Sequence, residues 1–265
     1  MKRLLSKHPI CAFCIISLLF TILFGFINMV LMPSSTEYMF LLPQFAPMLA
    51  AMSVVMALHG KSGIYGLIRK ASLIALSWKY LFISLIIPAF LCSLSYVIFC
   101  LVEYKQLEFP EIDRSFENYA LCLLFTILGS FGEEIGWRGF MLQQLHKKHS
   151  FFVSSLMVGL FWGFWHMKFH SGILVFAIYT LLAIEFSFII SWLYKKTKGT
   201  IISAIVFHST INICSLVFFE KIISNAANQT MQITLYGIYT IVFLFPCALI
   251  IKQLCLNSHP VLKRK

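Results

Sequence analysis

Charge is scarce in this chain. Only 12% of its residues are charged and 60% are hydrophobic, a balance that soluble globular chains do not show. Aspartate is all but missing, with Asp113 the single one among ten acids. Carboxylate chemistry in an apolar setting would therefore fall to glutamate. Internal repeats are absent too, which removes the inverted-repeat pattern seen in many secondary carriers. There is no low-complexity stretch and no HExxH, so the helical zinc-peptidase signature is excluded. The start of the chain lacks the short apolar core of a signal peptide. After Lys2, Arg3 and Lys7 its apolar run continues to Met32 and reads as a first spanning helix.

What fills the chain instead is a series of apolar segments, at 9–32, 39–58, 79–102, 117–146, 151–169, 172–194, 200–219 and 233–251. At about 20 residues per crossing they leave no room for a soluble domain. The expected fold is all-α: one polytopic membrane domain over 1–265, about eight transmembrane helices, and a catalytic core at 117–219 inside the bundle. Residues 60–78, with Arg69 and Lys70 among apolar neighbours, read as an interfacial amphipathic helix. Pro43, Pro47, Pro88 and Pro246 fall inside spans, where neighbouring helices tolerate kinks. Seven of the eight cysteines lie in apolar runs and Cys255 lies just beyond the last. The Cys11–Cys14 CxxC is read as small apolar side chains rather than redox or metal chemistry.

The net charge of +11 does not form a stripe interleaved with stacking aromatics, so no nucleic-acid partner is implied. The bases sit in the short connections. With the N-terminus inside, Lys105, Arg114, Lys168 and Lys221 fall outside, Arg138 stays in the membrane, and the other 16 of 21 bases are cytoplasmic. That asymmetry sets both termini on the cytoplasmic side.

After this sorting, only Glu133, Glu134 and Glu185 remain as intramembrane acids. Two of them stand in Gly132-Glu133-Glu134-Ile135-Gly136-Trp137-Arg138-Gly139-Phe140, where a charge survives only with a partner or a purpose. Glu134 and Arg138 are four apart, within ion-pair reach on a helix. Glu133 is turned by about 100° from Glu134 and cannot share that partner equally. Two acids for one base favour a division of labour over a simple helix lock: one carboxylate held by Arg138, the other free to take a proton from water. Gly132, Gly136 and Gly139 thin the helix, allowing either close helix approach or a water-filled recess.

Further polar groups lie on two later spans. His166 closes the aromatic run Phe161-Trp162-Gly163-Phe164-Trp165; alone it would read as a packing hydrogen bonder. His170, one turn on, reads as a surface residue. His208 and Asn212 share a helix face and can supply two hydrogen bonds to a developing oxyanion. Ser209 points about 100° away and is discounted as a nucleophile. Together these residues suggest peptide hydrolysis. A divalent metal such as zinc, on histidine and glutamate ligands, and direct activation of water by glutamate are both compatible with the set.

The ordered set Glu-Glu-x-x-x-Arg, aromatic-x-x-x-His and His-x-x-x-Asn resembles the CPBP (Abi) family, which includes type II CAAX prenyl endopeptidases and bacteriocin-processing or self-immunity proteins. The motifs fall on Glu133, Glu134 and Arg138, on Trp162 and His166 (Trp where many members have Phe), and on His208 and Asn212. The strings EEIGWRGFMLQQL and GLFWGFWH look like those of a common bacterial subgroup. The resemblance implies eight helices around a cavity open to the cytoplasm or the bilayer. In it, Glu133 activates water, Glu134 and Arg138 support it, His166 positions the water, and His208 with Asn212 form the oxyanion site. The implied partners are the lipid bilayer and a membrane-associated or amphipathic peptide or protein. A transporter with a Glu/His proton relay, or a catalytically silent immunity scaffold, stands beside this reading.

Depth is the one strained point. Counted along the helices, Glu133 lies about 21 Å from Lys147, His166 about 24 Å from Ser150 and His208 about 15 Å from Lys198. A break or steep tilt near Gly132–Gly139 is expected to absorb the mismatch, with the tail of the fourth segment along the cytoplasmic interface.

Overall fold

The computed structural model describes residues 2–31, 41–72, 77–108, 116–224 and 228–256. Asp113, Arg114 and the basic C-terminal residues 263–265 lie outside that set, as does the side chain of His170. Eleven helices follow in order: α1 Lys2–Lys7, α2 Pro9–Leu31, α3 Leu41–Gln44, α4 Ala46–Ile68, α5 Trp78–Glu103, α6 Phe116–Gly136, α7 Leu142–His146, α8 Phe151–Trp165, α9 Ile173–Lys196, α10 Ile202–Ser224 and α11 Gln229–Leu256. The described residues contain no strand. The chain is an all-α, multi-pass integral membrane protein.

In each of the eight apolar segments the described residues are mainly helical. Seven helical stretches are long and apolar enough to cross a bilayer, while α8, at 15 residues, is shorter. Its 15 residues rise only about 22 Å, less than a hydrocarbon core of about 30 Å. Ser150 opens α8 by accepting a hydrogen bond from Val153 N–H at 3.2 Å. Met167, in the left-handed region at φ 48°, closes it. The early stop puts His166 at a helix end, with its ring against the buried Trp162 and Trp165.

Two expected junctions take definite form. At Gly60 (φ 65°, ψ −156°) the backbone leaves helical geometry, so α4 is two helical segments meeting at a kink, and the second, with the 3-10 turn Arg69–Ala71, occupies described residues of the 60–78 stretch expected as an interfacial helix. The break expected near Gly132–Gly139 is a π-helical turn, Trp137–Met141, that joins α6 to α7. A π turn takes extra residues per turn, so it redirects side chains without severing the helix.

Outward faces are apolar, as lipid requires. On α5 Phe82, Ile86 and Phe90 form an exposed ridge, and on α11 Ile241, Phe245 and Leu249 do the same. Inside, α9 packs on α8 and α11, α10 on α5 and α6, and α4 on α2 and α6. Small residues set the closest approaches. A Cβ on Gly136 would stand 2.6 Å from the backbone carbon of Pro47, and one on Gly163 would stand 2.8 Å from Thr180 Cα. Between close approach and a recess, Gly132 and Gly136 therefore serve close approach, of α6 to the start of α4.

Candidate active site

α6, the π turn, α8 and α10 bring the motif residues into one buried cluster. Glu134 and Arg138 are both 0% exposed, and Arg138 Nη1 donates to Glu134 Oε1 at 2.8 Å. The same oxygen lies 2.9 Å from His208 Nδ1, across the α6–α10 contact. Two cationic or potentially cationic groups thus converge on one carboxylate oxygen. Glu134 Oε2 and Arg138 Nε and Nη2 have no hydrogen-bond partner among the described residues. The guanidinium carbon also lies 5.0 Å from the ring centre of Trp162, a cation–π distance.

Glu133 faces elsewhere. Its Oε2 accepts the indole N–H of Trp162 at 2.7 Å and that of Trp137 at 3.1 Å. It is 2% exposed and makes no ion pair with Arg138 among the described residues. The two acids therefore differ as their helical offset implies: one is tied to charge, the other is cradled by neutral donors. Trp137 is fully buried, with ring contacts to Phe13, Phe161 and Trp165 that hold its N–H in line.

His166 has its Nδ1 2.8 Å from the backbone carbonyl of Trp162. Nδ1 must carry the proton to make that bond, so the neutral ring leaves Nε2 as an acceptor. His166 stacks near Trp162 and Tyr179 but does not bond either glutamate among the described residues. Asn212, half-buried one turn along α10 from His208, reaches Ser130 Oγ at a long 3.4 Å. The structure thus joins Glu133, Glu134, Arg138, Trp162 and His208 directly, with His166 and Asn212 at the margins.

Sequence reasoning missed the work of the two indoles. Trp162 entered only as a motif position and Trp137 only as a letter within the acidic motif, with no role. The available signal was chemical, since a Trp N–H buried in lipid needs an acceptor and carboxylates are rare there. The donor set does not suit a metal: no group of three or more His, Cys, Asp or Glu could hold one among the described residues. Glu134, the natural anionic ligand, is already engaged by Arg138 and His208.

Residues 115–214, from just ahead of α6 into α10, match the family described as type II CAAX prenyl endopeptidase Rce1-like. All three motifs lie inside that match. The match takes in 100 of the chain's 265 residues, and over that stretch the chain is similar to this family. A CAAX prenyl protease 2 from Methanococcus maripaludis is 31% identical over 108 residues, 36% of this chain and 40% of that protein. A lysostaphin resistance protein A from Staphylococcus haemolyticus is 31% identical over 96 residues, 36% of this chain and 26% of that protein. The likeness thus spans less than half the length of either curated relative.

Proposed function

We propose that this protein is an intramembrane endopeptidase that hydrolyses a peptide bond of a membrane-associated or amphipathic substrate, with 117–219 as its catalytic core. The observation that carries the reading is the unlike treatment of two adjacent buried glutamates: Glu134 is bound by Arg138 and His208, and Glu133 by two indole N–H groups. Separated environments for paired acids are what an acid–base mechanism needs.

In this mechanism Glu133 takes a proton from water as the water oxygen bonds to the scissile carbonyl carbon. Electron density moves to the carbonyl oxygen, which Asn212 and His208 stabilise. Collapse breaks the C–N bond, and the proton held by Glu133 passes to the leaving amine. His208 donates from Nε2 as an imidazolium, or as the neutral ring when Glu134 carries a proton, because Nδ1 faces Glu134. Arg138 keeps Glu134 in place, and His166 offers Nε2 to position the water. No step is routed through a metal.

The similarity to a CAAX prenyl protease supports prenylated C-terminal peptides as one substrate class, beside bacteriocin leaders and other membrane peptides. The similarity to a lysostaphin resistance protein supports a second reading, a resistance or immunity protein that acts without turnover.

The deciding experiment is cleavage of fluorogenic peptides by purified protein, with and without chelator. Glu133→Gln keeps volume and removes the base, so it should fold normally and lose about 100-fold or more in turnover. Wild-type cleavage by Glu133→Gln would overturn the assignment. Failure of the wild type on a broad peptide library would favour the resistance reading.

A further inference from the structure

Lys70 stands at the end of α4, in the short 3-10 turn Arg69–Ala71, far in sequence from every motif. Its ammonium donates to Gly139 O at 2.6 Å and to Gln143 Oε1 at 2.7 Å. Gly139 lies inside the π turn, one residue beyond Arg138. Gln143 in turn donates through Nε2 to the hydroxyl of Tyr194 on α9. The backbone carbonyl of Lys70 meanwhile accepts from Ile201 N–H at 3.0 Å and from Thr200 Oγ1 at 3.1 Å, at the threshold of α10.

One residue therefore binds the turn that carries Arg138 and the entrance to the helix that carries His208. Those two elements must be in register for Arg138 and His208 to meet on Glu134 Oε1. A π turn interrupts the regular backbone ladder, so a carbonyl within it gains from an outside donor. A lysine at a membrane boundary would otherwise extend into water, as long basic side chains do at helix ends. Its neighbour Arg69 is exposed, whereas Lys70 is half-buried and turned inward.

We propose that Lys70 is a positioning residue: its ammonium latches the π turn so that Arg138, and with it Glu134, is presented to His208 in the productive register. It touches no reacting atom and acts through Gly139. Because a misplacement of about 1 Å can cost up to about 100-fold in rate, loosening this turn should be felt in turnover more than in substrate binding.

The test uses the full-length protein in detergent or nanodiscs and two readouts. Lys70→Met removes the ammonium but keeps the carbonyl link to α10. Hydrogen exchange should then rise in peptides covering 137–146 while those covering 200–205 stay at the wild-type level. On a cleavable peptide, kcat should fall about tenfold at little-changed KM. Lys70→Arg, which keeps a charged donor, should recover part of both effects. Arg69→Met, removing the adjacent exposed cation, should move neither. If Lys70→Met does not fold, Lys70→Gln, too short to span the same gap, is read in the same way. Wild-type exchange at 137–146 in the neutral variant overturns the latch, and so does an equal effect from Arg69→Met. The turnover readout rests on the peptidase reading and the exchange readout does not. A protein that cleaves nothing but loosens at 137–146 would sink the function and leave the latch standing.

Discussion

Arg138 is the residue on which the cluster's charge balance turns. Its guanidinium is buried, bonds Glu134 through one nitrogen and lies against Trp162. Arg138→Ala leaves Glu134 with His208 alone, and an uncompensated buried charge typically costs about 3–5 kcal/mol. The expected result is a lower yield of folded protein in detergent, measured by size-exclusion chromatography, together with loss of activity. Arg138→Lys should restore yield only in part, because a point charge replaces the planar group that lies against Trp162. A full yield of active Arg138→Ala would remove the pairing from the argument. Trp162 separates two contributions in the same way. Trp162→Phe retains a ring beneath Arg138 and beside His208 but withdraws the N–H from Glu133 Oε2. A hydrogen bond to a charged group is worth about 1.5–3 kcal/mol, so turnover should fall roughly ten- to a hundredfold while folding is retained. Trp162→Leu, which loses ring and N–H together, should fall further. Wild-type turnover in Trp162→Phe would mean that the N–H does nothing, and equal rates for the two variants would mean that the ring does nothing.

At the scale of the element, the helices were legible and their junctions less so. Apolar runs of about 20 residues can be little else in lipid, and the described residues of each expected span are mainly helical. The expected boundary at residue 60 is a kink at Gly60, where a positive φ that suits glycine separates two helical segments. Depth counting placed a break near Gly132–Gly139, but nothing in the pattern marked it as a π turn, since Trp137–Met141 is as apolar as its surroundings apart from Arg138. The glycines were ambiguous until their neighbours were known. Gly136 now makes a firm prediction. A methyl group there meets the backbone of Pro47 at 2.6–2.7 Å, and the backbone cannot swing aside as a flexible side-chain end could. Overpacking of this kind costs about 1–3 kcal/mol. Gly136→Ala should therefore lower thermal stability and disturb the adjacent Glu-Glu pair, measured as a drop in melting temperature with reduced turnover. Gly66→Ala, where a Cβ meets nothing within 4 Å, is the matched control and should be neutral. Equal stability of the two variants would contradict the close packing of α6 on α4.

For the whole molecule, the candidate site was legible as a list but not as a geometry. Glu133, Glu134, Arg138 and His208 announce themselves because charge and imidazole are out of place in lipid. That His208 meets Glu134, 74 positions away in sequence, and that two indoles meet Glu133, depends on helix pairing that a single chain's residue pattern does not encode. Asn212 and His166 were placed near the chemistry by spacing, yet among the described residues neither bonds a glutamate, so their roles rest on a bound substrate or water.

Orientation joins sequence and structure most directly. The basic connections collect at one end of the bundle. Ile201 bonds Lys70, Gln143 bonds Tyr194 just before Lys195 and Lys196, and Lys147 lines a cavity of about 560 Å³ with Lys2 and Arg3. Gln106 follows the far end of α5, whose 26 residues span about 39 Å. From the positive-inside rule we propose that the basic end faces the cytoplasm, and the packing requires the ends to invert together or not at all. Single cysteines can be introduced at the exposed positions Lys198 and Gln106 in a background cleared of the native eight cysteines. A membrane-impermeant thiol reagent applied to intact cells should label Gln106→Cys and spare Lys198→Cys until the membrane is opened. The reverse pattern would invert the protein and put the basic end outside. Labelling of both sites from one side would break the packing argument itself, since Lys198 and Gln106 would then not lie at opposite ends.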